Sequence, residues 1–391
     1  MNRNVVLLSL CQALLVTGNI LLVAVTGLIG RDLAPSSGMI TLPVAFQFVG
    51  LMMATIPASL IMRRIGRRNG FYLGNGVGIA GALIAVVALQ NSWFWLFCLG
   101  TFLLGIGIGF GTLYRFAAVE ACEPGEQSKA ISLVMAGGVL AAVLGPNIAI
   151  YSRQWFGEQS FVGAFVALTA LYIIALLLLS RVTLTKHDST ELTGSTRPLS
   201  EILLQPTFIC AVVAGMVGYT VMVLLMTATP LAMQRCGFSF ASAATVIEWH
   251  VLGMFVPSFF TGHLISRFGV RAIMQTGALM FMGCIALNLH GITEWHFRIA
   301  LVLLGIGWNF MFIGATQLVT STYSPAEKAK TQAANEFLIF SLVTLASLGA
   351  GWMESELGWV TMNMLMIPVV LWAMLTMWWF SRKPAATAVA S

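Results

Sequence analysis

Long apolar segments separated by short polar ones make up most of the sequence. A membrane-spanning α-helix needs about 20 consecutive apolar residues, and twelve segments of this chain reach that length. The pattern therefore predicts an all-α membrane protein with twelve transmembrane helices. The predicted spans run near residues 5–29, 38–62, 71–90, 93–113, 131–151, 161–180, 207–230, 240–264, 271–290, 298–320, 333–353 and 358–380.

The longest polar interval, 181–205, follows the sixth predicted span and divides the twelve spans into two sets of six. The position of this interval predicts an N-terminal six-helix bundle and a C-terminal six-helix bundle joined by a cytoplasmic linker. The predicted boundaries are 1–181 for the first bundle, 182–205 for the linker, 206–382 for the second bundle and 383–391 for a short cytoplasmic tail.

The two halves share short loop motifs at a nearly constant spacing. RRIGRR at Arg63–Arg68 aligns with SRFGVR at Ser266–Arg271, an offset of 203 residues. The pattern Pro-x-Glu-x-x-Lys occurs at 124–129 and again at 325–330, an offset of 201. Two independent matches at nearly the same offset indicate a six-plus-six repeat, which transporter folds use to enclose a substrate site near the membrane midplane.

Composition and charge agree with this picture. Hydrophobic residues make up 58% of the chain and charged residues 9%, against roughly a quarter charged in a soluble domain. Of the twenty Lys and Arg, only Arg31, Arg153, Arg235 and Arg298 fall in the segments predicted to be periplasmic. This bias predicts that both termini are cytoplasmic, and we expect the chain to lie in a bacterial inner membrane. The basic residues thus orient helices, and no nucleic-acid partner is expected.

The sequence contains no pattern typical of an enzyme. It has no phosphate-binding Gly-rich loop with Lys, no nucleophile elbow and no His-Glu-x-x-His. We therefore expect a secondary transporter that is not an enzyme, with no permanently bound cofactor. The expected partners are the lipid bilayer and a small ion or small molecule, and the expected state is a monomer.

Two pairs of soft-ligand residues lie on consecutive predicted spans. Met222 and Met226 are four residues apart on the seventh span, and His250 and Met254 have the same spacing on the eighth. Residues four apart share one helix face, and thioether and imidazole ligands together favour Cu(I). The four residues predict a copper path descending from the periplasmic side. The alternative is packing, because methionine commonly fills gaps in apolar interfaces.

Other polar and aromatic residues are candidates for a substrate cavity. Asn19 and Gln47 occupy the repeat equivalents of Met222 and His250, and either cavity lining or a helix–helix hydrogen bond would explain them. Glu248 could carry a proton or pair with a neighbouring helix. The remaining candidates could contact an organic substrate or serve in packing; they are Tyr219, Trp249 and Asn309.

The loops after the second and eighth spans resemble the signature of the major facilitator superfamily, Gly-x-Leu-x-Asp-Arg-x-Gly-Arg-Arg. The first copy has Ser59 and Arg63 in place of the Gly and the Asp, and the second keeps Gly262 but has Ser266 in place of the Asp. The resemblance implies the two-bundle fold and a gate of loop charges that meet helix ends. The gate residues it implies are Arg64, Gly66, Arg68, Arg267, Gly269 and Arg271.

The paired Met and His motifs resemble those of the CcoA-like copper importers, a bacterial branch of that superfamily. Two further stretches, Tyr114–Gly138 and Gly305–Phe337, resemble the same branch. This resemblance implies copper as the transported substrate. Its ligands would be Met222 and Met226 on the seventh span and His250 and Met254 on the eighth. Relatives of these importers move organic substrates such as riboflavin. Transport of a riboflavin-like or drug-like solute, with the Met pairs serving only in packing, is therefore the alternative.

Overall fold

The computed structural model describes residues 3–121, 127–157, 161–183, 197–324 and 327–381. The predicted tail and most of the predicted linker lie outside these residues, so the domain boundaries stay predictions. The described residues form fifteen α-helices: α1 Arg3–Leu33, α2 Leu42–Ile65, α3 Arg67–Gln90, α4 Phe94–Gly111, α5 Tyr114–Ala121, α6 Gln127–Ser152, α7 Val162–Ser180, α8 Leu199–Leu203, α9 Pro206–Arg235, α10 Phe240–Phe255, α11 Ser258–Phe268, α12 Val270–His290, α13 Glu294–Thr320, α14 Lys328–Trp352 and α15 Gly358–Ser381.

The twelve predicted spans are all present as helices. Nine segments of the described chain are long and apolar enough to cross a membrane, and the pair α10–α11, bent by 42°, makes a tenth. One of the nine, Ala333–Trp379, contains both α14 and α15, which separate at Gly358 (φ +80°) and both pack against α9. Helix α6, with 26 residues, supplies the twelfth. The all-α, twelve-helix prediction is confirmed.

The internal repeat is visible in how the helices cross. A Cβ atom added at Gly105 of α4 would overlap the main-chain carbonyl of Gln47 in α2, and one at Gly305 of α13 would overlap that of His250 in α10. These two contacts occupy equivalent places in the two halves. Because only glycine allows backbones to approach this closely, the second and fourth spans of each half cross in the same way. The predicted pseudo-symmetry is confirmed.

Hydrogen bonds at and near the helix ends show which ends lie together. At one end of the bundle, Asn4 Nδ2 donates to the Thr183 carbonyl at 2.7 Å. At the other end, Arg31 donates to Gln234 Oε1 at 2.6 Å and Ser37 donates to Glu356 Oε1 at 2.8 Å. We name these the proximal and distal ends. The charge bias predicts that the distal end is periplasmic.

At the proximal end, an ion pair attaches the end of the linker to the start of α14. The carboxylate of Glu327, whose side chain is 2% exposed, accepts hydrogen bonds from Arg197 Nε at 2.9 Å and Nη2 at 2.8 Å. It also accepts from the main-chain N–H groups of Arg197 and Ser324, and Lys330 donates to the Arg197 carbonyl. The Glu and Lys of the second Pro-x-Glu-x-x-Lys motif therefore both hold Arg197, at the end of the linker, against the start of α14.

We expect acid to weaken this attachment. The Arg197 guanidinium and the main-chain N–H groups hold the pKa of Glu327 well below its usual range. A lowered pKa in the folded state stabilises the fold above the unfolded value, about 4.3, and that contribution is lost as the pH falls below it. Glu327→Gln should lower the melting temperature at neutral pH in detergent, and the difference should shrink on acidification. A difference that is independent of pH would contradict this.

Candidate functional site

A cluster of aromatic side chains fills the middle of the C-terminal bundle. The Trp308 and Phe312 rings are stacked, with centroids 4.9 Å apart and planes 10° apart. The Tyr219 ring meets Trp308, Phe312 and Phe340 edge to face at 5.5, 5.6 and 5.4 Å. Phe255 meets the Trp308 ring edge to face, with centroids 6.5 Å apart. We name this group the midplane aromatic cluster; it comprises Tyr219, Phe255, Trp308, Phe312 and Phe340.

The midplane aromatic cluster lies at mid-depth and at the seam between the two halves. Tyr219 is the 14th of 30 residues in α9, and Trp308 is the 15th of 27 in α13. A Cβ atom at Gly138 of α6 would come within 2.7 Å of the Phe255 ring, so the cluster contacts the N-terminal half. Trp308 Nε1 is buried and has no hydrogen-bond partner among the described residues. The indole N–H is thus available to a bound solute.

The two central helices, α1 and α9, are packed differently along their lengths. Residues 20–30 of α1 and 221–233 of α9, which lie towards the distal end, are all buried. Towards the proximal end, Gln12, Val16 and Asn19 form a half-exposed stripe on α1, and Met216 and Tyr219 are half-exposed on α9. The distal part of the seam is therefore closed, and the distal hydrogen bonds of Arg31 and Ser37 close it further.

Of the predicted copper ligands, His250 has the most informative surroundings. The imidazole is fully buried, and Nδ1 lies 2.8 Å from the Leu301 carbonyl oxygen. A carbonyl can only accept, so Nδ1 carries the hydrogen and the neutral ring keeps its lone pair on Nε2. Nε2 has no partner among the described residues. The ring is oriented by α13 and could accept a hydrogen bond or bind a soft metal.

The three methionines of the predicted set are buried in the main apolar core. Met222, Met226 and Met254 are 1%, 7% and 9% exposed. The first two belong to the closed distal part of α9. Within the described ranges no group of three or more His, Cys, Asp or Glu could hold a metal ion. Ligand duty for the methionines stays a prediction, and packing accounts for their burial.

Asn309 supports the bend between α10 and α11. Its Nδ2 donates to the Met254 carbonyl and to Ser258 Oγ, each at 2.6 Å, and its Oδ1 accepts from Thr261 Oγ1 at 2.6 Å. Pro257 lies at this bend and has no N–H to donate. The polar atoms of Asn309 thus brace the broken span, although the sequence suggested a cavity position.

Two neighbouring candidates on α10 face in different directions. Glu248 Oε2 accepts a hydrogen bond of 3.4 Å from Asn147 of α6, so the carboxylate lies at the seam between the halves. Trp249 is 46% exposed and shares its helix face with Val256, seven residues on, which is 38% exposed. Trp249 therefore stands apart from the midplane aromatic cluster.

Asn19 and Gln47 meet across α1 and α2. Gln47 Nε2 donates to Asn19 Oδ1 at 2.7 Å, which is the helix–helix hydrogen bond that the sequence allowed. Gln47 is 1% exposed, and its Oε1 is buried without a partner among the described residues. The pair therefore retains an unused acceptor inside the N-terminal bundle.

The predicted gate residues lie at two helix junctions of the proximal end, where α2 meets α3 and where α11 meets α12. Gly66 and Gly269 have φ values of +87° and +85° and join consecutive helices in each half. Arg68 donates to the Ser180 carbonyl at 2.9 Å, and Arg267 lies over the ring of its neighbour Phe268. Arg64 is exposed, as is Arg267, and Arg271 is half-buried. The Arg68 and Arg267 contacts stay within one half, so the gating role stays a prediction.

The structure has a packed interior. Two small voids of about 10 Å³ each lie away from the midplane aromatic cluster, one between α1, α3 and α7 and one at the distal ends of α9 and α10. Pockets for drug-sized ligands usually measure about 300–1,000 Å³. Entry of a solute to the cluster would therefore require the halves to separate.

Comparison with known proteins identifies relatives along nearly the whole chain. The chain is 41% identical over 370 residues to the riboflavin transporter RfnT of Brucella anthropi, covering 94% of this chain and 93% of that protein. It is 24% identical to the multidrug resistance protein MdtL of Klebsiella pneumoniae, over 86% of this chain and 84% of the relative.

The fold has a close counterpart among solved structures. The crystal structure of a D-xylose-proton symporter superposes with a TM-score of 0.74 at 14% identity, covering 96% of this chain and 97% of the symporter. The sequence profile of the Major Facilitator Superfamily matches residues 7–338. With twelve membrane-spanning helices in two pseudo-symmetric halves, the chain therefore belongs to the Major Facilitator Superfamily and is a multi-pass membrane transporter.

Proposed function

We propose that the protein carries a flat heteroaromatic solute of the riboflavin class across the membrane by alternating access. The observation that carries this proposal is the midplane aromatic cluster, with its unpartnered indole N–H at Trp308. The 41% identity to a riboflavin transporter over nearly the full chain supports the same substrate class.

The chemistry of the cluster suits such a solute. Aromatic faces bind flat rings by stacking, which contributes about 1–3 kcal/mol per ring when a nucleobase stacks on an aromatic side chain. The cluster lies where the two halves meet, and the distal part of the seam is closed. Rocking of the halves would open the site first to one side of the membrane and then to the other.

Growth of a riboflavin auxotroph tests the proposal. Cells that lack their own riboflavin transporter should grow on low external riboflavin when they express this chain. They should also take up labelled riboflavin with saturable kinetics. Cells with the empty vector provide the control. Absence of uptake, with the protein present in the membrane, would contradict the proposal.

Copper transport is a second candidate, favoured by one observation. His250 keeps its Nε2 lone pair free, and Met254 lies one helical turn further along α10. The comparisons favour an organic solute, so we expect copper accumulation in expressing cells to equal that in vector controls. The variants His250→Ala and Met226→Ala test the alternative. Copper accumulation above the control that is lost in both variants would instead support copper as the substrate.

A further inference from the structure

The hydrogen bond between Asn19 and Gln47 leaves two polar groups unused. Two primary amides can form two N–H···O bonds with each other, but here only Gln47 Nε2 donates to Asn19 Oδ1. Gln47 Oε1 remains an acceptor without a partner, and the described residues offer no partner to Asn19 Nδ2. The amide pair therefore presents one acceptor and one donor side by side.

This unused acceptor stands out because of its surroundings. Gln47 is 1% exposed, and a buried carbonyl oxygen without a hydrogen bond is unfavourable. Gly105 allows the main chain of α4 to lie directly against Gln47, which holds this part of α2 firmly. Helix packing thus fixes the main chain of Gln47, and the hydrogen bond to Asn19 orients its amide.

The amide pair also stands where a solute in the seam could reach it. Asn19 is the last residue of the half-exposed stripe on α1, directly before the fully buried distal part of that helix. Asn19 lies near the middle of α1, and Tyr219 of the midplane aromatic cluster lies near the middle of α9, the helix that packs against α1 from the other half. The pair and the cluster are therefore at similar depth in opposite halves.

We propose that the Asn19–Gln47 pair is a subsite for the imide edge of a flat heterocycle. The ring N–H would donate to Gln47 Oε1, and the adjacent ring carbonyl would accept from Asn19 Nδ2. The ring face would stack on the midplane aromatic cluster of the other half. Riboflavin has such an edge on its pyrimidinedione ring, so this inference rests on the proposed function and names the part of the substrate that each half recognises.

The subsite also gives a reason for the difference between the two halves. The repeat equivalent of Gln47 is His250, whose Nδ1 is bound to Leu301. Hydrogen-bonding specificity then comes from the N-terminal half and stacking from the C-terminal half. A solute that contacts both halves when bound favours conformations in which the two halves are close together. Binding is thereby coupled to the relative position of the halves.

Competition with a methylated analogue tests the subsite without any mutation. Riboflavin methylated on the imide nitrogen keeps the ring face but has lost the N–H. The purified protein in proteoliposomes should exchange riboflavin, and the methylated analogue should compete about tenfold or more weakly, because it leaves a buried acceptor unpartnered. An analogue altered at the opposite, dimethylbenzene edge serves as the control and should compete more strongly than the imide-methylated analogue.

A variant completes the test. Gln47→Leu removes the acceptor at similar volume, so it should bind riboflavin less tightly and no longer distinguish it from the methylated analogue. Gln275→Leu is the matched control, because Gln275 donates to the Met374 carbonyl between α12 and α15, away from the seam. This control should keep the discrimination of the wild-type protein.

The outcomes separate the two proposals. Equal competition by riboflavin and its imide-methylated analogue in the wild-type protein would overturn the subsite and leave riboflavin transport standing. Discrimination that persists in a folded Gln47→Leu protein would also overturn it. Failure of the wild-type protein to exchange riboflavin would overturn the proposed function, and the subsite with it. Because the wild-type comparison needs no variant, misfolding of Gln47→Leu does not prevent a decision.

Discussion

Replacing Trp308 with alanine is expected to weaken riboflavin transport about tenfold or more, because stacking on one aromatic side chain contributes about 1–3 kcal/mol. The indole is the centre of the midplane aromatic cluster: it stacks on Phe312 and meets the Tyr219 edge. Removing it would take away both the stacking surface and the unpartnered N–H. Initial rates of labelled riboflavin uptake at several concentrations would measure the loss.

Two further variants sharpen this prediction. Trp308→Phe keeps an aromatic face and lacks the N–H, so it should fall between the wild-type protein and Trp308→Ala. Trp372→Ala is the control, since Trp372 of α15 is 54% exposed and stands outside the cluster. Equal uptake by Trp308→Ala and the wild-type protein, at matched levels in the membrane, would contradict a substrate site at the cluster.

Replacing Gly305 with valine should prevent the C-terminal bundle from folding. A side chain at this position would overlap the His250 main-chain carbonyl, and it would also come within 2.9 Å of main-chain atoms of Gly253 and Met254. Backbone cannot move aside as a flexible side chain can. The loss of folding free energy should therefore exceed the roughly 1–3 kcal/mol that is typical of overpacking and reach about twice that range. Gly105→Val, at the equivalent crossing of α2 and α4, should fail in the same way.

Fluorescence-detected size-exclusion chromatography in mild detergent would measure this effect. The two valine variants should give little monodisperse protein. Gly76→Val is the matched control, because a Cβ at Gly76 of α3 has no heavy atom within 4 Å. Monodisperse, thermally stable Gly305→Val protein would show that the crossing of α10 and α13 is looser than the structure indicates.

The candidate site was only partly predictable from the sequence. The sequence predicts Tyr219 from its aromatic ring, and Asn19 and Gln47 from their place in the repeat, and the structure puts all three near the seam. Phe255, Phe312 and Phe340 were not selected. They come from three different helices, and an apolar residue inside a membrane helix gives no local signal of which neighbour it meets. Asn309 was selected as a cavity residue, but its hydrogen bonds brace a helix bend.

The sequence by itself determined the number of helices, their division into two halves and the repeat that relates those halves. In a bilayer each backbone N–H and C=O must be satisfied within its own helix, so a run of about 20 apolar residues already specifies a span. Only the tertiary structure decided which faces meet. The Asn19–Gln47 bond, the aromatic cluster and the closed distal seam all depend on how helices pack around small residues such as Gly105 and Gly305. Apolar side chains on every face of a membrane helix leave that packing unspecified in the local pattern.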